Sequence, residues 1–213
     1  ERSIEGITED QIRQTAASFC GDILQKPPMY SALKLKGRKL YEYARQGITL
    51  DIQPRPVRIE NLEIEEIDLK RKEVVFEVTC SKGTYIRSLC RDMGEKLGCG
   101  AVMSGLTRTV SGAFSLERSL QPEEVKQMSP EEIEAYLLPV DYPLIHFGKC
   151  TMPKDRALYF ASGNSIRWHQ VTVTKEPQPA LSGSNSRQTG YNQMYCVYEK
   201  ESGLFLGTGY YNE

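Results

Sequence analysis

The sequence is poor in the residues that hold metal ions or disulfide frameworks. It has two histidines, His146 and His169, and its six cysteines never form a Cys-x-x-Cys pair. Zinc sites and disulfide-rich folds are therefore not predicted, and we expect reduced thiols. The glycine patterns of phosphate-binding loops and dinucleotide-binding folds are also missing, which argues against enzymes that use ATP or NAD. No metal ion and no cofactor are expected.

Long apolar runs are missing as well. The longest are short, such as 74–76, whereas a membrane-spanning helix needs about 20 apolar residues in succession. The chain starts with neither an initiator Met nor a signal peptide, so we expect a cytoplasmic protein without membrane contacts, and the inner part of a longer chain. Its 213 residues, 39% of them apolar and 26% charged, suffice for one medium domain and a small one.

Charge is unevenly distributed although the formal net charge is only −1. The segment from Lys26 to Arg45 holds six basic residues and one acid, whereas the segment from Glu117 to Asp141 holds seven acids and two bases. Segregated basic segments in a neutral protein indicate a face for a polyanion. Charge alone is equally compatible with chance clustering on surface helices.

Hydrophobic periodicity predicts the elements of the first part of the chain. The residues Thr8 to Gln11 have the form of a capping box and begin a helix, which Pro27 would stop. Gly83 permits a tight turn, and Thr84 is the expected N-cap of a later helix. The predicted elements are a helix over 8–24, an extended segment over 29–36, a short helix over 40–46, a hairpin of strands over 57–67 and 73–81, a helix over 84–97 and a strand over 101–108.

The rest of the chain is first acidic and then rich in short strands. The segment 176–193 is rich in Pro, Ser, Gly, Asn and Gln, which predicts a mobile loop. A helix with short strands and Gly turns predicts a small barrel-like second domain. The predicted elements are acidic helices over 122–128 and 130–138, a linker over 139–143, a helix over 154–162 and strands over 166–174, 194–198 and 204–210.

Tyr85 and Arg87 lie at the predicted turn from a strand into a helix, a frequent place for a functional site. An aromatic face can stack on a base, and a guanidinium can orient a carboxylate or a phosphate. From the residues alone, a core tyrosine and a surface arginine are the more frequent interpretation. Neither side chain is a nucleophile, so this turn by itself indicates no reaction.

The segment 26–45 interleaves its basic residues with Tyr30, Tyr41 and Tyr43. Lysine side chains contact phosphates and aromatic rings stack on unpaired bases, which is the chemistry of RNA loop recognition. A solvated hairpin with tyrosines packed beneath it is the alternative interpretation. The composition favours RNA.

Several spaced motifs occur in this part of the chain. They are Pro27-Pro28-Met29-Tyr30-Ser31-Ala32-Leu33-Lys34, Gly37, Leu40-Tyr41-Glu42-Tyr43-Ala44-Arg45-Gln46-Gly47, Cys80-Ser81-Lys82-Gly83-Thr84-Tyr85-Ile86-Arg87, Leu97-Gly98-Cys99-Gly100-Ala101 and Leu106-Thr107-Arg108. In this order they resemble the TruB-type tRNA pseudouridine synthases of the bacterial branch. The resemblance covers roughly residues 8–140 and is weaker over the tail.

The resemblance implies an α+β fold, with a mixed, mainly antiparallel sheet flanked by helices as the pseudouridine synthase core. Residues 1–141 would belong to the catalytic domain and include an RNA-binding thumb at about 26–50, which closes on the T-loop. Residues 142–213 would form a small β-rich, PUA-like RNA-binding domain. The resemblance further implies a monomer that binds the T-arm of tRNA.

The implied reaction is the conversion of the T-loop uridine of tRNA to pseudouridine. In that family a catalytic Asp attacks the flipped-out uridine, and the base is detached, rotated and rejoined through C5. Tyr85 would pack on the target base, Arg87 would pair with the catalytic carboxylate, and Leu106 would line the pocket. The further residues expected to bind the substrate are Tyr30, Lys34, Lys36, Arg38, Lys39 and Arg108.

The nucleophile is missing from this sequence. The family's Asp lies in a Gly-x-x-Asp-x-x-Ala-x-Gly motif, and none of the seven aspartates here has that context. The chain thus resembles the carboxyl-terminal two thirds of such an enzyme, and we expect it to be inactive alone. A non-catalytic tRNA-binding module or RNA chaperone is the alternative, because it needs the thumb but no Asp. A plain interaction domain would leave the turn at Tyr85 unexplained.

Overall fold

The computed structural model describes residues 2–178 and 193–212. The chain divides into two compact units, the first ending at Leu106 and the second beginning at Thr107. The domain boundary after residue 141 stays a prediction. Helices accompany sheets whose strands pair mainly in the antiparallel sense, so the fold class is α+β, as predicted. None of the described helices is long and apolar enough to cross a membrane.

The first unit is built around one three-stranded antiparallel sheet. Its elements are α1 (Glu9–Ala17), β1 (Gly21–Gln25), β2 (Lys34–Leu35), β3 (Arg38–Lys39), α2 (Leu40–Arg45), β4 (Arg55–Asp68), β5 (Glu73–Cys80) and α3 (Ile86–Lys96). The sheet order is β1-β4-β5, and β2 and β3 form a separate hairpin. The predicted hairpin of β4 and β5 and the predicted short helix α2 are confirmed.

One face of this sheet packs on helices α1 and α3. Two register shifts in β4, after Ile59 and after Ile64, keep its apolar residues on the same face. Complete burial of a side chain such as Leu89 stabilises the fold by about 1.5–3 kcal/mol. The buried core residues are Ala16, Ile59, Leu62, Ile64, Leu89 and Met93. The core therefore holds the start of α3 firmly against the sheet.

The first helix is shorter than predicted. Its capping box at Thr8 and Gln11 is present, but the helix ends at Ala17 and residues 21–25 form β1. Gly21 has φ +99°, a conformation that glycine adopts readily and a helix does not contain. The segment then pairs with β4 in antiparallel register. The helical prediction beyond residue 17 was wrong because sheet pairing overrides the local periodicity.

Residues 101–108 do not form the predicted strand. They carry no strand assignment and are mostly exposed, with Val102 90% exposed. The two sides of β4 are paired with β1 and β5. The strand that joins the hairpin of β4 and β5 is β1, which was expected to be helical, and residues 101–108 pair with neither edge strand of this sheet.

The second unit contains a four-stranded mixed sheet with order β11-β10-β8-β9. Its elements are β6 (Val110–Ser111), β7 (Phe114–Ser115), α4 (Pro122–Val125), α5 (Pro130–Tyr136), β8 (Gly148–Met152), α6 (Lys154–Ala161), β9 (Thr172–Lys175), β10 (Met194–Glu199) and β11 (Phe205–Tyr210). Strands β8 and β10 are parallel, and the other neighbours are antiparallel. The core of this sheet includes Cys150, Met152, Tyr195 and Val197 together with Ala157 of α6.

Most helices and strands of the second unit lie where the sequence predicted them. The acidic helices α4 and α5, helix α6 and strands β10 and β11 confirm their predictions. Strand β9 is shorter than the predicted strand, because residues 168–170 form a 3-10 turn, and β8 was not predicted. The predicted loop over 176–193 falls mostly outside the described residues.

Candidate functional site

The turn from β5 into α3 carries Tyr85 and Arg87. Gly83 has φ +88°, which allows the chain to reverse direction after the strand. The Thr84 hydroxyl donates a hydrogen bond to the Ser81 carbonyl oxygen at 2.8 Å. Tyr85, not Thr84, is consequently the N-cap of α3. The N-cap prediction was wrong because the Thr84 side chain closes the turn instead.

The Gln25 side chain holds the backbone of Tyr85 through two hydrogen bonds. Gln25 is the last residue of β1 and is only 2% exposed. Its Nε2 donates to the Tyr85 carbonyl oxygen at 3.1 Å, and its Oε1 accepts from the Tyr85 N–H at 2.8 Å. The amide orientation is fixed, because a backbone N–H can only donate and a carbonyl can only accept. The end of β1 and the start of α3 are thereby joined.

Three further hydrogen bonds connect α3 to the thumb segment, which we define as residues 26–50. Ser88 Oγ and Arg91 Nη2 both donate to the Lys26 carbonyl oxygen, at 3.1 and 3.3 Å. Arg87 Nη1 donates to the Tyr30 carbonyl oxygen at 3.4 Å. The first turns of α3 thus hold the beginning of the thumb segment.

Cations lie over tyrosine rings within the thumb segment. The Arg38 guanidinium is 4.9 Å from the centroid of the Tyr43 ring. Lys39 Nζ and the Arg45 guanidinium are 5.5 and 5.2 Å from the centroid of the Tyr41 ring. These distances are in the range of cation–π attraction. The basic and aromatic side chains of this segment therefore form a common surface.

The other predicted binding residues are exposed. Lys34 lies on β2, and Lys36 lies in the β2–β3 turn with φ +50°. Tyr30 and Leu106 are each 59% exposed. Arg108 is exposed as well and belongs to the second unit. The first unit therefore brings together Tyr85, Arg87 and the start of the thumb segment at α3.

Within residues 2–178 and 193–212, Arg87 forms no ion pair with a carboxylate; its guanidinium donates to Tyr30. Five aspartates form ion pairs with residues other than Arg87. The ion pairs are Asp22 with Arg58, Asp51 with Lys26, Asp92 with Arg91, Asp141 with Lys149 and Asp155 with Arg156. In the described part of the chain, no group of three His, Cys, Asp or Glu side chains is placed to hold a metal ion.

Asp141 attaches the segment before β8 to two strands of the second unit. The Tyr198 hydroxyl donates to its carboxylate, and Lys149 Nζ lies 3.3 Å from it. The hydrogen bond from Tyr198 and the contact with Lys149 lower the pKa of Asp141. Burial and the hydrogen bond to Asp141 raise the pKa of Tyr198. This cluster stabilises the sheet of the second unit and contains no group suited to handling a base.

Sequence reasoning missed Gln25, Ser88 and Arg91. The available signal for Gln25 was alternation, because Ile23 and Gln25 occupy inward-facing positions of one strand. That signal was overridden by the prediction of a helix over the same residues. Ser88 and Arg91 show their role only through contacts with Lys26, more than sixty positions away.

Two family models match adjacent parts of the chain. The one described as TruB family pseudouridylate synthase (N terminal domain) matches residues 1–86. The one described as tRNA pseudouridylate synthase B C-terminal domain matches residues 87–145. Together they include the thumb segment, Tyr85, Arg87 and Leu106.

Curated relatives extend the similarity over nearly the whole chain. The tRNA pseudouridine synthase B of Alkaliphilus oremlandii is 48% identical over 202 residues, which are 94% of this chain and 61% of that protein. The tRNA pseudouridine synthase B of Methylobacillus flagellatus is 43% identical over 203 residues, which are 95% of this chain and 60% of that protein. The chain therefore spans less than two thirds of the length of either relative.

Solved structures share the fold at lower identity. A chain in the crystal structure of a Cbf5-Nop10-Gar1 complex has a TM-score of 0.67 and 22% identity, covering 97% of this chain and 56% of that chain. A chain in the structure of an H/ACA RNP bound to a substrate RNA containing 2'-deoxyuridine has a TM-score of 0.65 and 19% identity, covering 98% and 56%. The two family models and the curated relatives show that the chain belongs to the TruB family of pseudouridine synthases.

Proposed function

We propose that the full-length protein containing this chain converts a uridine in the T-loop of tRNA to pseudouridine. The observation that carries the proposal is the similarity to tRNA pseudouridine synthase B proteins over 94–95% of the chain. The family model over residues 1–86 includes the thumb segment and Tyr85. A cytoplasmic monomer that binds the T-arm is part of the same proposal.

Tyr85 and Leu106 would handle the target base. Extruding a base from its stack costs a few kcal/mol, and stacking on an aromatic side chain returns about 1–3 kcal/mol per base. Gln25 fixes the backbone of Tyr85, so the position from which its ring extends is set before the base arrives. Leu106 is 59% exposed and offers an apolar side chain for the pocket.

Arg87 would orient the carboxylate of the catalytic Asp, which the family's motif places outside this sequence. A guanidinium has five N–H donors in a planar fork and can hold a carboxylate through two parallel hydrogen bonds. The Tyr30 carbonyl oxygen accepts from Nη1 of Arg87 and so fixes the fork from the thumb side. Arg87 is therefore a link between the thumb segment and the proposed reaction centre.

The thumb segment would bind the phosphates and bases of the T-loop. Lys34, Lys36, Arg38 and Lys39 supply positive charge, and Tyr30 supplies an exposed ring. Arg108 would add a further phosphate contact. Since Ser88 and Arg91 hold the Lys26 carbonyl, tRNA bound to the thumb would be positioned relative to α3.

A non-catalytic tRNA-binding module or RNA chaperone is the second candidate function. It is favoured by one observation: the guanidinium of Arg87 has no carboxylate partner in the described ranges 2–178 and 193–212, whereas basic and aromatic side chains of the thumb segment are in contact. Such a module would need the cations and tyrosines of the thumb segment but no nucleophile.

The test is tritium release from tRNA labelled at C5 of uridine, assayed with the full-length protein. We expect release with tRNA that has the T-loop uridine and none when cytidine replaces that uridine. Arg87→Lys should slow single-turnover release by orders of magnitude with little change in tRNA affinity, because an ammonium cannot form the bidentate pair. Equal rates for the two proteins would refute the role of Arg87, and binding without release would favour the second candidate.

A further inference from the structure

We propose that Gln25 is a positioning residue that fixes Tyr85 and Arg87 for the reaction, and that it requires a neutral group able to donate and accept at once. The proposal rests on the proposed function, since it concerns how that site is held. Gln25 itself would not touch the RNA, because it is 2% exposed and lies beneath the turn at the end of β1.

The contact is specific to one residue of the turn. Gln25 receives a hydrogen bond from the Tyr85 N–H and returns one to the Tyr85 carbonyl oxygen, at 2.8 and 3.1 Å. The same carbonyl also accepts from the Leu89 N–H at 3.0 Å, the first hydrogen bond of α3. Both lone pairs of this oxygen are therefore used, and the peptide groups on either side of Tyr85 are held in place.

No side-chain cap replaces this contact. Tyr85 is the N-cap of α3, with φ −102° and ψ 107°, and its side chain makes no capping hydrogen bond. The buried Gln25 amide, and not the Tyr85 side chain, therefore holds the N-cap backbone of α3. Because Arg87 lies in the first turn of the same helix, a shift of the Tyr85 backbone would move its guanidinium as well.

Anchorage of the thumb segment does not depend on the Gln25 side chain alone. Ser88 and Arg91 hold the next residue, Lys26, through its carbonyl oxygen. Loss of the Gln25 amide should therefore misplace Tyr85 while tRNA binding largely persists. A misplacement of about 1 Å can cost on the order of 100-fold in rate, which is the effect expected for Gln25→Ala at saturating tRNA.

The variant Gln25→Glu distinguishes a positioning role of the Gln25 hydrogen bonds from a role in packing alone. A neutral carboxyl has the same pair of groups as the amide, an O–H donor and a C=O acceptor, whereas a carboxylate has acceptors only and would face the Tyr85 carbonyl oxygen. Burial raises the pKa of such a carboxyl, so it should ionise between about pH 6 and pH 9. The single-turnover rate of Gln25→Glu relative to wild type should be near one at the acid end and fall at least about tenfold as pH rises.

The matched control is Gln14→Glu, which adds the same carboxyl on an exposed position of α1. Its rate relative to wild type should not change with pH. Hydrogen exchange at the Tyr85 amide gives a readout independent of activity: protection should be present in wild type, lost in Gln25→Ala, and lost in Gln25→Glu only at high pH. Circular dichroism at each pH monitors folding.

The outcomes are distinct. A flat pH ratio for Gln25→Glu in an active, folded protein would overturn the positioning role and leave the proposed function intact. A rate loss that coincides with loss of the helical signal would also overturn it, since Gln25 would then support the fold alone. An inactive wild-type protein would refute the proposed function, while protection of the Tyr85 amide would still report its hydrogen bond to Gln25.

Discussion

At the scale of single residues, Gly94 permits α3 to approach the turn that follows it. A Cβ at Gly94 would lie 2.2 Å from the Ala101 nitrogen and 2.3 Å from the Gly100 carbonyl carbon. Both are backbone atoms, so the turn would have to move and weaken the hydrogen bond from Gly100 N–H to the Gly94 carbonyl. We expect Gly94→Ala to lower the free energy of unfolding by about 1–3 kcal/mol, measured by urea denaturation.

The control for Gly94 is Gly105→Ala. A Cβ at Gly105 would meet no atom within 4 Å. Its free energy of unfolding should stay within about 0.5 kcal/mol of wild type. Alanine is favoured over glycine in a helix by about 1 kcal/mol, so a gain in stability for Gly94→Ala would show that propensity outweighs the clash.

In the second unit, the charge of Asp141 should make the free energy of unfolding depend on pH. The pKa of Asp141 is lowered from its ordinary 3.8 in the folded chain, first by the Tyr198 hydrogen bond. Its carboxylate thus stabilises the fold above the unfolded value, and this stability is lost as pH falls through the lower folded value. Asp141→Asn should be about 1 kcal/mol less stable at neutral pH and equal to wild type in strong acid.

The measurement is the free energy of unfolding at a series of pH values. Asp155→Asn is the matched control, because Asp155 pairs with Arg156 at an exposed site where an ion pair contributes little. A difference between wild type and Asp141→Asn that persists unchanged into strong acid would contradict the role of its charge.

At the scale of elements, the sequence predicted those whose signals are local. Helix α5 begins with Ser129 and Glu132 in a capping box, and the hairpin of β4 and β5 follows from alternation. Strand β1 was missed because its partner β4 lies thirty or more positions along the chain, and β8 because it pairs with the later β10. The alternation at Ile23 and Gln25 is a local signal of a strand, but it does not identify the distant strand with which β1 pairs.

The residues of the candidate site also differ in whether a local sequence pattern identifies them. Tyr85 and Arg87 could be singled out because the turn and the spaced motifs surrounding them are contiguous in sequence. Gln25 could not, since its role depends on hydrogen bonds to a residue sixty positions away. Buried polar side chains acquire their function from the fold, so a motif-based prediction misses them.

The thumb segment is the element whose charges can be tested together. Replacing Lys34, Lys36, Arg38 and Lys39 with Ala should weaken tRNA binding by the full-length protein. The slope of log affinity against log salt is negative, and each lost phosphate contact should reduce its magnitude by about 0.7–0.9. Loss of four contacts would therefore reduce that magnitude by about 3. A salt titration gives this slope.

Two of these four cations also have partners within the thumb. Arg38 lies near Glu42 and over Tyr43, and Lys39 lies over Tyr41. If these contacts persist on binding, the slope will change by less than the full amount. A slope identical to wild type would mean that all four face solvent in the complex, and the phosphate-binding role would have to be abandoned.

At the scale of the whole molecule, the two units carry different parts of the proposed activity. The first holds Tyr85, Arg87 and the thumb segment, and the second holds Arg108 and a mixed sheet. The proposed base-handling groups of the first unit bind and orient, but they cannot form a covalent bond to the uridine. The proposed reaction needs a nucleophile besides these groups, because electrostatic support does not replace it.

We therefore expect the 213-residue chain, assayed alone, to bind tRNA but release no tritium from C5. Asp22, Asp51 and Asp92 are occupied in ion pairs with Arg58, Lys26 and Arg91, and none of them reaches Arg87 in an ion pair. Adding a polypeptide with the family's Asp motif should restore release if it docks, and the same polypeptide with Asp→Asn should not. Release by the purified chain alone would mean that one of its own carboxylates is the nucleophile.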